Sequence, residues 1–317
     1  MTSREVIASA PARIDLAGGW TDVAPYTTEV GGAVCNVAIE LRAVATVSAA
    51  AGVMIEPTDP LIHAAWQRAG APQVTIRLET DIPVGSGLGG SSAAGVALAA
   101  ALGAWTGVTF PADELAELSR STESETMGLA GGCQDHYAAA FGGALLLHCR
   151  HRTIAQPVPL TGTALAEFER RAVIAYTGQS RMSSRTITAV INAYRNNEPV
   201  TCEALRVMAS LAPQMAAALA AGDIDRLGQL LARQWDAQRA LHPTISTPLI
   251  DRIVTDAAAA GALGTKALGA SGGGCVLVIA AAGTESDVRD AVARHATLLP
   301  LEVARRGVHV HSTGNPD

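Results

Sequence analysis

The first fifty residues run in β-branched and small apolar positions broken by glycine pairs. Residues 7–17 and 33–48 predict strands, with Gly18-Gly19 and Gly31-Gly32 as the breaks. Residues 74–80 set Val, Ile and Leu against Thr, Arg and Glu, the period of a half-exposed strand. Further along, the period becomes helical. Helices are predicted at 92–105, 112–125, 183–196, 202–221, 224–241 and 247–260. Residues 267–274 read as a glycine-rich loop, 275–281 as a short buried strand, 288–295 as a last helix and 307–312 as a last strand. Strands first and helices later imply an α+β fold rather than a doubly wound sheet. The cluster Pro157, Pro159 and Gly162 suggests a boundary near residues 155–165.

Composition adds constraints. With 49% hydrophobic and 16% charged residues in 317, the chain has material for a large core. Only 11 aromatics stand against 62 Ala, so that core is built from Ala, Val, Leu and Ile. A net charge of −6 and no Lys/Arg stripe argue against a nucleic-acid partner. Five Cys without a CxxC pair read as reduced thiols and imply a cytoplasmic setting. The N-terminus carries Glu5 and Asp15 and no long apolar run, unlike a signal peptide. Residues 93–110 are uncharged and about long enough for a membrane span. They are rich in Ala and Gly and follow a Gly/Ser loop, so a buried helix is the better reading and no membrane partner is expected.

The candidate chemistry lies in three segments. The stretch from Asp81 to Ala94 holds Pro83, Gly85, Ser86, Gly87, Leu88, Gly89, Gly90, Ser91 and Ser92 and leads into an Ala-rich helix. Glycines let successive N–H groups converge, and a helix N-terminus adds its free donors and dipole, which suits phosphates. The same pattern also suits a structural loop with a Ser N-cap. It is not a Walker A motif, because no Gly-Lys-Ser/Thr follows. A second loop, Gly269 to Cys275, places Gly272, Gly273 and Gly274 before an apolar strand; close ligand approach and tight packing both explain it. Third, Glu123 and Asp135 flank a glycine-rich turn. Asp135 is a candidate general base or a helix N-cap, and Glu123 a candidate Mg²⁺ ligand or a solvated helical Glu. The histidines show no metal-ligand spacing.

Three motifs in order, Ala10-Pro-Ala-Arg-Ile-Asp-Leu-Ala-Gly-Gly-Trp-Thr-Asp22, Pro83-Val-Gly-Ser-Gly-Leu-Gly-Gly-Ser-Ser-Ala93 and Gly269-Ala-Ser-Gly-Gly-Gly-Cys275, resemble those of the GHMP kinase superfamily. Arg13 to Asp22 is similar to L-fucokinases. Gly132 to Gly143, Tyr176 to Ser184 and His242 to Ser246 are similar to D-glycero-D-manno-heptose 7-phosphate kinases. The resemblance implies two α+β domains, here 1–160 and 161–317, with the active site between them. It implies transfer of the ATP γ-phosphoryl group, with Mg²⁺, to a hydroxyl of a sugar or sugar phosphate, the anomeric one in these two branches. By motif position Asp135 is the catalytic aspartate and Arg13 its basic partner. Asp22 and Trp20 face the sugar, Ser91 and Glu123 hold Mg²⁺, and residues 85–92 with Gly272 and Gly273 cradle phosphate. Arg181, Ser183, Ser184 and Arg239 are candidates for a distal phosphate on the substrate. A cyclitol kinase and a catalytically silent sugar-binding regulator are the competing readings. Gly90 stands where sugar kinases often have Ser, and Ser271 where Gly is usual.

Overall fold

Two long antiparallel strands, β1 (Glu5–Ala17) and β2 (Gly32–Ala49), organise the first half of the chain. The computed structural model describes residues 4–50, 58–126, 131–179 and 184–313. Between the two strands lies a one-turn helix, α1 (Tyr26–Glu29). Helix α2 (Pro60–Arg68) and strand β3 (Val74–Thr80) follow, then α3 (Gly90–Trp105), α4 (Ala112–Ser121), a π-helical turn (Thr122–Thr126), α5 (Gln134–Phe141), β4 (Ala144–Cys149) and β5 (Ile154–Val158). The second half holds α6 (Gly162–Arg171), β6 (Ala172–Tyr176), α7 (Ser184–Arg195), α8 (Pro199–Ala221), α9 (Ile224–Ala240), α10 (Pro248–Ala259), β7 (Ala262–Ala267), β8 (Cys275–Ala280), α11 (Glu285–Ala293), β9 (Thr297–Leu299) and β10 (His309–Thr313).

The strands form two antiparallel sheets. One runs β10-β1-β2-β4-β5 with β3 also paired to β2, and the other runs β7-β8-β6-β9. The last strand therefore returns to the sheet built by the first half, where His309 to Thr313 pair with Ser9 to Glu5. Helices α3 and α5 pack on β1 and β2, and α9 packs on β7. The α9–β7 approach needs glycine on both sides: a Cβ on Gly264 would collide with the Gly228 carbonyl, and one on Gly228 would lie 2.6 Å from Leu263 Cβ. The core is aliphatic, as the composition requires, with Ile14, Leu16, Ile39, Leu98, Leu145 and Ile174 fully buried.

Several elements differ from the sequence reading. The helix expected at 112–125 ends at Ser121 and continues as the π-helical turn. Strands β4, β5, β6, β7 and β9 and helices α2 and α6 have no counterpart in the sequence reading, although α6 is amphipathic and buries Ala164, Leu165, Phe168 and Arg171. Strand β4 (ALLLHC) is buried along most of its length, so it shows a run rather than an alternation. Pro157 sits in β5, an edge strand, which is where a sheet tolerates proline. The expected buried helix at 93–110 is α3, with Val96, Ala97, Leu98 and Ala101 wholly inside. One described helix, α8, is long and apolar enough to cross a membrane. Met208, Leu211, Ala212, Met215 and Leu219 of that helix are spent in the protein core.

Candidate active site

The glycine loop before α3 alternates conformations. Gly85, Gly87 and Gly89 take φ of 67°, 73° and 76°, values that a side chain would resist. Gly89 is the N-cap of α3 and no side chain caps the helix, so neither Ser91 nor Ser92 is the cap. The free N–H groups and positive dipole end of a 16-residue helix therefore face the loop's open side. The second glycine loop packs directly on the first. Cys275 N donates to Ser86 O at 2.7 Å, and a Cβ on Gly87 would stand 2.7 Å from Leu268 O. Gly272 N donates to Ile245 O at 2.9 Å, and a Cβ on Gly273 would stand 2.5 Å from Gln179 O. Backbone meeting backbone thus accounts for the glycine run. Ser271 keeps the left-handed backbone of its neighbours (φ 66°), and its hydroxyl accepts from Gln238 Nε2 at 2.8 Å.

Arg13 and Asp135 meet beside this loop. Arg13 Nε and Nη2 both lie 2.7 Å from Asp135 Oδ1, and Nη1 donates to Gly87 O. The Arg13 backbone N–H donates to Leu88 O at 3.0 Å. One buried arginine on β1 thus fixes the phosphate-type loop and the carboxylate together. Asp135 lies in the first turn of α5, whose N-cap is Cys133, so Asp135 does not cap its helix. Its carboxylate is 26% exposed and therefore reachable by a ligand. A Cβ on Gly89 would stand 3.2 Å from it, which places it at the foot of α3.

A second carboxylate sits on the other side of that helix start. Ser91 Oγ donates to Glu123 Oε1 at 2.6 Å, and Ser92 Oγ to Oε2 at 3.4 Å. His136 Nε2 is 3.2 Å from Glu123 Oε2, and its Nδ1 is 3.0 Å from Ser119 Oγ. Burial alone would raise the Glu123 carboxyl, but His136 and the two hydroxyls hold it below its ordinary value and so ionised. The π-helical turn carries Glu123 into this position, a use for which such turns are known. A hydroxyl and an ionised carboxylate at a phosphate-type loop are hard oxygen donors, few in number, and fit Mg²⁺.

A cavity of about 250 Å³ opens beside Asp135, lined from the first half by Arg13, Asp15, Trp20, Asp22, Gly87 and Gln134. Ile187, Gly269 and Ala270 close it from the second half. Asp22 Oδ2 accepts from Gln134 N at 3.1 Å, and burial, aided by Asp135 and Asp15, pushes its carboxyl up to about 6. Three buried polar atoms of this wall have no protein partner: Asp15 Oδ1, Trp20 Nε1 and Gln134 Oε1. Trp20 holds a left-handed backbone (φ 81°) and packs on Tyr26 and Val190, so it is as much wall as ligand contact. Arg181 and Ser183 lie outside the described residues. Ser184 opens α7, and Arg239 pairs with Asp236 at 2.8 Å on the surface. His242 is 2.8 Å from Thr244 Oγ1, and among the described residues no cluster of metal-binding His, Cys, Asp or Glu is found.

Gly132 gives this wall a local test. A Cβ there would collide with the Asp22 carboxylate. In Gly132→Ala that carboxylate must move, at a cost of about 1–3 kcal/mol in stability. Thermal unfolding reads the loss; an unchanged melting point would show that the contact yields freely.

Known proteins carry the same architecture. The model for the GHMP kinases N terminal domain matches residues 58–143, and that for the GHMP kinases C terminal region matches residues 215–297. Galactokinase of Mycobacterium tuberculosis is 31% identical over 271 residues, covering 74% of this chain and 72% of that protein. The chain belongs to the GHMP kinase family. D-glycero-alpha-D-manno-heptose 7-phosphate kinase of Campylobacter jejuni is 32% identical over 197 residues, 62% of this GHMP kinase and 58% of that protein. A bifunctional fucokinase/GDP-fucose pyrophosphorylase of Arabidopsis thaliana is 25% identical, and the alignment spans 29% of its length. The crystal structure of a D-glycero-D-manno-heptose 1-phosphate kinase from Bacteroides superposes with a TM-score of 0.79 at 24% identity, over 98% of this chain and all of that one.

This GHMP kinase has site residues that motif reading passes over. Lys266 is fully buried, and its Nζ donates to Asp15 Oδ2 at 2.7 Å and to Asp15 O at 2.9 Å. The pair joins β7 of one sheet to β1 of the other at the back of the cavity. Gln134 and His136 flank Asp135 in sequence and also serve the site. Their signal in the chain is their place in the 132–143 stretch, where the sequence reading gives a role to Asp135 alone.

Proposed function

We propose that this GHMP kinase transfers the γ-phosphoryl group of ATP to a hydroxyl of a sugar, the anomeric hydroxyl of a heptose 7-phosphate or a related sugar. One observation carries the reading: a polar cavity whose walls hold unpartnered buried donors and acceptors adjoins the Arg13–Asp135 pair and the start of α3. Buried polar atoms without partners are costly, and a polyhydroxylated ligand satisfies them. The names of the heptose and fucose kinase relatives support the substrate class.

In this reading residues 83–92 cradle the ATP phosphates through backbone N–H groups, with Gly272 and Gly273 shaping the same wall by holding the second loop against the first. Asp135 takes the proton of the attacking hydroxyl or orients it. An anomeric hydroxyl is more acidic than an ordinary alcohol, so an ionised carboxylate is a suitable partner. Arg13 keeps Asp135 in place and offsets charge on the transferring group. Ser91 and Glu123 would hold Mg²⁺, which when bound neutralises charge on phosphate oxygens. Asp22 accepts hydrogen bonds from sugar hydroxyls, and Trp20 closes the wall beside it. Residues 1–160 and 161–317 form the two domains, with β10 returning to the first. The free thiols of all five cysteines fit a cytoplasmic enzyme. Phosphorus-31 NMR of the product tests the position of transfer. A newly added phosphate coupled to H1 is expected; a newly added phosphate coupled to the protons of any other carbon would contradict it.

Asp22 sets a pH dependence. Its carboxyl, ordinarily at 3.8, stands at about 6 in the fold, so it loses acceptor capacity as pH drops through that value. The KM for the sugar is expected to fall as pH rises from about 5 to 7, and in Asp22→Asn that slope disappears. The stability effect has the opposite sign. Between 3.8 and about 6 the folded chain binds more protons at this site than the unfolded chain, so the contribution is present at low pH and lost as pH rises through 6. Asp22→Asn removes that loss. A sugar KM with no pH slope in the wild type would contradict the role of Asp22.

A further inference from the structure

Behind the Gly131-Gly132 turn lies a second polar cavity, of about 270 Å³. Asp22 and Gly131 line both this cavity and the one beside Asp135, so the two spaces adjoin. Its walls carry Arg120 from the end of α4, Arg150 and His151 from the turn after β4, and the hydroxyls of Thr27, Thr28 and Thr153. Cys133 and Cys149, both buried, form the back.

The charges in this cavity are not all spent on each other. Of the carboxylates facing it, Glu117 is engaged through both oxygens, with Tyr137 Oη at 3.0 Å and Arg120 Nε at 2.7 Å. Asp22 is the carboxylate whose value burial raises to about 6. Arg150 Nη2 donates to Val30 O at 3.0 Å, which leaves further guanidinium donors on a residue that is exposed. Thr27 Oγ1 is buried, lines the cavity and has no protein partner. Two guanidinium groups, an imidazole and an unpartnered hydroxyl are the donors that a phosphate recruits, in planar pairs from Arg and singly from hydroxyls. Neither an apolar tail nor an unsubstituted polyol needs them.

We propose that this cavity is a distal subsite for a phosphomonoester carried at the far end of the sugar substrate. The proposal deepens the sugar-kinase reading and rests on it. A sugar whose reacting hydroxyl lies at Asp135 and whose ring hydroxyls reach Asp22 directs its remaining carbons past Gly131 into the second cavity. Arg120, Arg150 and Thr27 then take the phosphate. This places phosphate recognition on the first half of the chain rather than on Arg181 and Ser183.

The test compares kcat/KM on a matched pair, D-glycero-D-manno-heptose 7-phosphate and the unphosphorylated heptose, using the full chain with Mg·ATP. The wild type is expected to favour the phosphorylated sugar. Arg150→Ala and Thr27→Val should each reduce that preference by about tenfold or more, the worth of a charge-assisted hydrogen bond. Thr27→Val keeps the side chain's shape and guards against a folding artefact. Equal losses on both sugars would overturn the proposal, as would a preference removed by Arg181→Ala and untouched by Arg150→Ala.

A binding arm separates this failure from failure of the kinase reading. Glucose 6-phosphate and inorganic phosphate are titrated calorimetrically into protein saturated with Mg and a non-hydrolysable ATP analogue. Binding weakened about tenfold in Arg150→Ala supports the subsite even if no sugar is turned over. Binding equal in wild type and variant overturns it. Inorganic phosphate that binds at Arg150 and stimulates turnover of the free heptose, instead of competing with the phosphorylated one, marks an effector site and also overturns it.

Discussion

In Asp135→Asn, kcat is expected to fall by about 10²- to 10⁴-fold, the range for removing a general base, while Mg·ATP still binds. Asn keeps the shape and can still accept through Oδ1 from Arg13, whose Nε and Nη2 stand 2.7 Å away. Lost turnover is then a loss of proton acceptance rather than of architecture. Arg13→Met should be worse, because the same guanidinium also holds Gly87 O and so the phosphate-type loop. Nucleotide affinity should weaken there together with kcat, whereas in Asp135→Asn it should not. Steady-state kinetics with separate titration of ATP distinguishes the two. Full turnover in Asp135→Asn would remove the base from the mechanism.

The second large effect concerns stability. Lys266→Met is expected to destabilise the fold by about 3–5 kcal/mol, because it leaves the Asp15 carboxylate buried without its cation. The side chains of Lys266 and Asp15 are 0% and 3% exposed, so water cannot take the cation's place. Burial pushes the Lys266 ammonium below its ordinary value, and the Asp15 carboxylate beside it opposes that shift. Adding Asp15→Asn to Lys266→Met removes the stranded charge and should recover part of the loss. Urea unfolding of the single and double variants measures the difference. A single variant as stable as the wild type would show that the pair does not join the two sheets.

Much of this site was readable from the chain, because local backbone chemistry announces itself. The loop at 83–92 uses glycine where left-handed φ is required, which is written in its residues, whereas only the fold shows that neither Ser91 nor Ser92 caps the helix it enters. Arg13, Asp22, Trp20 and Asp135 lie on motifs, and the fold brings them to one cavity. What depends on long-range pairing was not readable. Lys266, the chain's single lysine, meets a residue 251 positions away, and nothing in its neighbourhood signals that. The triple glycine at 272–274 left phosphate contact and packing open, and only the fold shows the loop pressed on Ser86 and Gln179. Strands β4, β5, β6, β7 and β9 were missed, whereas β8 and β10 were read: short segments with one or both faces buried or at an edge lose the alternation that marks a half-exposed strand. The cavity around Arg120 and Arg150 is likewise assembled from α1, α4 and the β4–β5 turn, which no sequence window contains.

The central claim is that a sugar hydroxyl accepts phosphoryl from ATP at Asp135. The most direct measurement is ADP release with Mg·ATP across a panel of D-glycero-D-manno-heptose 7-phosphate, L-fucose, galactose, mannose and phosphorylated and free cyclitols, in wild type and Asp135→Asn. The account predicts sugar-dependent ADP release in the wild type, strongest on a heptose phosphate, and its collapse in the variant. ADP release confined to cyclitols, or none above the sugar-free rate while ATP binds, would contradict it.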